Sequence, residues 1–132
     1  MSSLNSRLAI YAPQMLSILR IAAALIFLAH GTGKLLGFPI LPSAPAMMSL
    51  SWFGGFVELI GGVLLLLGLF TPIAAFLMSG EMAVAYFSSH FPRSFFPVLN
   101  GGDAAALFCF VFLYFVFAGP GPWSVDALRN KA

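Results

Sequence analysis

Charge is what this chain has least of. Charged residues make up 8% of its 132 residues and hydrophobic ones 61%, and the mean hydropathy is +1.00. A soluble domain carries about a quarter charged residues. No water-soluble core can hide this much apolar surface at this length, so lipid belongs to the solvent. The few charges sum to +2. Its lysines and arginines are too sparse and scattered to follow a nucleic-acid backbone, so no nucleic-acid partner is expected. Cysteine is almost absent too. Cys109 stands alone, which excludes a disulfide within the chain and a CxxC redox pair. Its apolar surroundings read as those of a small buried or lipid-facing hydrophobe. No flavin, dinucleotide or haem-attachment motif is present, so any redox chemistry must borrow its electron carrier. The period-two alternation of a membrane barrel strand is missing as well.

What is there is four long apolar runs with clear punctuation. The first covers 16–36 and stops at Gly37 and Pro39. Arg7 and Arg20 give the N-terminus some likeness to a signal sequence, but the run is of spanning length and reads as a retained first helix. A Pro- and Ser-rich loop over 39–51 follows. The second run covers 52–70. Thr71-Pro72 then reads as a cap with proline at the first helical position, so the second and third runs must be antiparallel neighbours. The third covers 72–90 and ends before Pro92. Asp103 is an N-cap candidate for the fourth, 103–118, which Gly119-Pro-Gly-Pro122 closes.

The expected fold is therefore all-α: an integral membrane four-helix bundle with short connections and both termini cytoplasmic. Residues 1–14 form an N-terminal cytoplasmic segment, 15–119 the domain and 120–132 a C-terminal cytoplasmic tail. Arg7, Arg20, Arg129 and Lys131 lie at the termini side and outnumber Lys34 and Arg93 opposite. Trp52 and Trp123 suit interfacial anchors at opposite helix ends. The phenylalanines of the fourth run read as lipid contact and packing.

The ionisable residues inside these runs carry the functional signal. His30 and Lys34 lie one turn apart near the outer end of the first run, Glu58 sits in the second, Glu81 in the third, and Asp103 opens the fourth. His90 and Arg93 stand at the same outer level. A charge in hydrocarbon costs a few kcal/mol on insertion scales, so such residues face a protein interior or water. Gly54, Glu58 and Gly62 share a small-residue face suited to close helix approach, within the chain or in a homo-oligomer. Arg20, alone in the inner half, is expected to snorkel. A structural reading stands beside the functional one: Asp103 as a plain cap, Lys34 snorkelling, or Lys34–Glu58 and His30–Glu81 pairs that hold the bundle together. No tight spacing motif supports a metal site.

These residues also carry a resemblance. Arg20 with Phe27-Leu-Ala-His-Gly31 and Lys34-Leu-Leu-Gly37, Glu58-Leu-Ile-Gly-Gly62, Gly68-Leu-Phe-Thr-Pro72, Glu81-Met-Ala-Val-Ala85, His90 and Asn100-Gly-Gly-Asp103 follow the order and spacing of the DoxX family. The resemblance covers about 15–118, with Asp103 where the family usually has Glu. It implies a small multi-pass protein of the bacterial inner membrane. Relatives of this kind are associated with redox systems, among them a subunit of a thiosulfate:quinone oxidoreductase and membrane complexes handling thiol or oxidative stress.

Joined to that resemblance, the polar cluster is expected to bind a quinone as part of an oxidoreductase complex. Glu81 and His30 would be its proton donors, Lys34 the group polarising a quinone carbonyl, and Glu58 the counter-charge, with His90 and Asp103 completing the site. Imidazole suits such exchange near neutral pH. Two alternatives remain open at this point: a non-catalytic assembly or anchoring protein that docks a partner, and a binder or carrier of a small polar solute.

Overall fold

A computed structural model describes residues 2–131. It is all-helical, and among the described residues no strand occurs. The helices are α1 (Ser2–Ala9), α2 (Ala12–Leu36), α3 (Leu50–Leu67), α4 (Thr71–Ala85), α5 (Pro97–Asn100), α6 (Asp103–Ala118) and α7 (Val125–Lys131). Two of them, α2 and α3, are long and apolar enough to cross a membrane, and α6 is a shorter apolar helix. Helix α2 packs on α3, α3 on α4, and α4 on α6. Phe27 of α2 closes the ring, edge-on to Phe108 and Phe112 of α6 at centroid distances of 4.9 and 4.8 Å. The end of the bundle that carries both chain ends is called the base here, and the opposite end the distal end.

Between apolar helices in lipid, packing is driven by close contact rather than by escape from water, so small residues set the distances. A methyl group at Gly31 would stand 2.6 Å from the backbone nitrogen of Leu59. Backbone cannot move aside, so α2 and α3 touch here only because Gly31 has no side chain. The expected face of Gly54 and Gly62 is spent inside the chain: Gly62 meets Leu28 of α2 and Gly54 meets Glu81 of α4. The phenylalanines of α6 divide their work. Phe112 and Phe115 are fully buried, whereas Phe110 and Phe117 face outward.

Three local expectations shift. First, α2 begins at Ala12, one turn ahead of the apolar run expected from 16, because Pro13 fits its first turn. Second, the N-cap of α4 is Phe70, in the left-handed region at φ 51°, and not Thr71. Phe70 brings no capping side chain, so Asp126 of α7 supplies one. Its carboxylate accepts from the Phe70 and Thr71 amides at 3.0 and 2.9 Å. Third, Gly102 and not Asp103 is the N-cap of α6. The buried Asn100 side chain takes the Gly102 amide at 2.8 Å, which leaves Asp103 as an exposed first-turn acid. An acid there still complements the helix dipole.

Arg20 departs furthest from its expected behaviour. It does not snorkel; it is 1% exposed. Its guanidinium donates to the carbonyls of Pro120, Trp123 and Leu66. Ser17, one turn earlier, accepts from the Trp123 amide and donates to the Pro120 carbonyl. The segment after α6 is thus strapped across the base rather than left as a loose tail. Its Gly-Pro-Gly-Pro run cannot be helical, so its carbonyls are free to receive an arginine.

Candidate functional site

Glu58 is the starting point, being 2% exposed in the middle of α3. A carboxylate buried this far requires a partner, and Lys34 of α2 provides it, with Nζ 2.9 Å from Oε1. This is the only ion pair among the described residues. It forms because Gly55 of α3 lies under the Lys34 stem, where a Cβ would stand 3.1 Å from Lys34 Cβ. The other Glu58 oxygen, Oε2, is buried without a hydrogen-bond partner.

Glu81 reaches the same point from α4. Its carboxyl group lies within hydrogen-bonding reach of that of Glu58. Its Oε1 rests over Gly54, in space that any larger residue would occupy. Like Glu58, it keeps a buried Oε2 with no partner. One lysine thus faces two carboxyl groups, and one ammonium neutralises only one carboxylate. The second acid is uncharged only when it carries a proton.

A cavity of about 200 Å³ opens beside this cluster and brings five of the six expected site residues together: His30, Lys34, Glu58, Glu81 and His90. Phe27 and Phe108 close it toward the base. His30, itself exposed on α2, stacks obliquely on Phe27 at 5.7 Å and lines the cavity with Glu58. Of the two expected pairs, Lys34–Glu58 forms and His30–Glu81 does not. His90 sits on a π-helical turn, Tyr86–His90, that continues α4. Such turns widen a helix and recur at functional sites. Here the wider turn lets His90 Nδ1 donate to the Asn100 carbonyl at 3.1 Å, while Tyr86 Oη accepts from Asn100 Nδ2 at 3.2 Å. Asp103 lies outside the cavity, exposed at the start of α6.

Lys34 and Glu81 also form one wall of a second cavity, of about 380 Å³, between α3 and α4. The pair is therefore a partition, reached from the His30–His90 chamber on one side and from the α3–α4 groove on the other. Among the described residues no group of three or more His, Cys, Asp and Glu is arranged to hold a metal ion.

Sequence reasoning missed two residues that hold the helices in place, one at each end of the bundle. Asn100 is 1% exposed and ties Tyr86, Ser94 and Gly102 together at the distal end. Its signal was an Asn before two glycines, a turn former able to hydrogen-bond its own backbone. Asp126 fixes the α3–α4 turn from outside the expected domain, and nothing local in the sequence marks it as a cap.

Comparison with known proteins identifies the family. The family model described as DoxX matches residues 15–91, which include His30, Lys34, Glu58, Glu81 and His90. An uncharacterised protein of Haemophilus influenzae is 44% identical, over 88% of this chain and 91% of its own length. No solved structure matches the chain. A family model that spans most of the chain, and a relative this similar over nearly all of it, place the protein in the DoxX family, as a membrane-associated helical domain.

Proposed function

We propose that this protein is a multi-pass subunit of a redox system in the bacterial inner membrane, and that the Lys34–Glu58–Glu81 cluster binds the head of a quinone. One observation carries the reading: the buried Glu58 and the half-buried Glu81 stand beside one lysine, and each keeps a buried oxygen without a partner. Orphaned buried oxygens are costly and call for a donor. A quinol hydroxyl is such a donor, and a quinone carbonyl is an acceptor for Lys34. Reduction consumes an electron pair, delivered by an oxidoreductase partner, and a pair of protons. Glu81 and His30 hold and pass those protons at the head, Glu58 balances Lys34, and His90 lines the route from the distal side. Asp103 has no part in this arrangement.

In this reading α2, α3, α4 with its π-helical turn, and α6 cross the bilayer, and both termini are cytoplasmic. Arg7 and Arg129 at the base support that orientation. Native mass spectrometry of protein extracted gently from its own membrane tests the function. A quinone-mass adduct present in the wild type and lost in Glu81→Gln, with the helical content unchanged, is expected. No adduct in either protein would overturn the quinone reading. An anchoring role is the second reading, favoured by Phe38, Ile40, Phe95 and Phe96, which stand exposed at the distal end. Its signature in the same spectrum is a retained second polypeptide with no quinone.

A further inference from the structure

The groove between α3 and α4 changes character along its length. At the distal end it is the cavity of about 380 Å³, with Lys34, Glu81, Ser88 and Gly54 in its wall. Toward the base it continues as a cavity of about 480 Å³ lined by apolar side chains and Gly61. Val57 and Leu77 line both parts, so the two are continuous. From Leu50 to Leu64 on α3 the groove runs roughly 20 Å at about 1.5 Å per residue. Ile60 and Ile73 flank its apolar half and face outward.

We propose that this groove seats a single-tailed amphiphile with an uncharged head, entering sideways from the bilayer. The head lies between Lys34 and Glu81, and the tail runs toward the base over Ile60 and Ile73. The inference rests on the quinone reading above and adds the entry side, the tail path and a rule of exclusion. That rule follows from charge. Lys34 is already paired with Glu58, and Glu81 stands beside it. A carboxylate or phosphate head would bring a further anion to a single ammonium away from water, where unpaired charge is costly. A fatty acid or phospholipid is thereby rejected, and a carbonyl or hydroxyl head is accepted. The head meets Lys34 and Glu81 from the groove side; His30, Glu58 and His90 line the chamber on the other face of that pair, and a proton held at His30 reaches the head through Glu81, which borders both cavities.

The experiment uses the full-length protein in lipid nanodiscs, with direct binding of a benzoquinone bearing a long alkyl tail, its tail-less parent and a fatty acid of matching length. Ile73→Trp and, separately, Ile60→Trp fill the apolar half from lipid-facing positions, so either variant can stand for the other if one fails to fold. The tailed quinone should lose about tenfold or more in affinity. The tail-less parent should bind both variants as it binds the wild type, and the fatty acid should not compete. Binding of both quinones by the wild type, with no tail-specific loss in the variants, would overturn the groove while leaving the quinone site intact. Competition by the fatty acid would overturn the charge argument. Failure of both quinones to bind the wild type would remove the function on which the groove depends.

Discussion

The carboxylate of Glu81 on α4 occupies the space that a side chain on Gly54 of α3 would take: its Oε1 lies 2.8 Å from where a Cβ would stand. A glycine on one helix is thus the seat of an acid on the next. Gly80, on the same helix as Glu81, lines the same groove but has nothing within 4 Å of where its Cβ would stand, so it seats no neighbouring side chain.

Gly54→Ala should therefore displace Glu81 and weaken quinone binding. Gly80→Ala should raise stability by about 0.5–1 kcal/mol, through helix propensity alone. Thermal unfolding in detergent, read beside quinone affinity, separates the two. Unchanged quinone affinity in Gly54→Ala would show that Glu81 is not seated on Gly54.

Lys34→Met should cost about 3 kcal/mol, because it leaves Glu58 buried and unpaired. Adding Glu58→Gln should recover much of that loss. A double-mutant cycle from chemical unfolding measures the coupling. Strict additivity would mean that the 2.9 Å contact carries no energy.

Arg20→Met should loosen the base without emptying the distal site. It strips the Pro120 and Trp123 carbonyls of their charged donor, and hydrogen bonds to a charged group are worth about 1.5–3 kcal/mol each. Hydrogen exchange should rise first at Asp126, whose amide donates to the Gly68 carbonyl at 2.9 Å. Quinone binding should persist. Faster exchange at Asn100 and Gly102 before Asp126 would contradict a local strap.

Asp126 gives the base a pH dependence. Partial burial works to raise its carboxyl, but the Thr71 and Phe70 hydrogen bonds and the charge of Arg129 outweigh it and hold the group below the usual carboxylate range. A folded value below the unfolded one means stabilisation present above the unfolded pKa, about 3.9, and lost as pH falls through the folded value. Asp126→Ala should lower stability near neutrality by about 1 kcal/mol, as loss of a helix cap does. It should also flatten the acid limb of a melting-temperature profile. An acid limb of unchanged slope would assign it to other groups.

The order of the apolar runs, their breaks at Gly37, Pro39, Thr71-Pro72 and Gly119-Pro-Gly-Pro122, and the grouping of polar residues toward one end were legible in the sequence by itself. Each follows from local chemistry: proline and glycine end helices, and a charge between apolar residues must face something polar. The tertiary structure alone decided which partner each charge takes. Lys34 bonds Glu58 while Glu81 rests over Gly54, because the contacts at Gly31 and Gly55 fix the depth of α2 against α3. It alone showed that Arg20 is held by carbonyls of a strap distant in sequence, and that Asp126 caps α4. Helix periodicity tells which residues share a face; which face meets which neighbour, and at what height, depends on contacts between residues far apart in the chain.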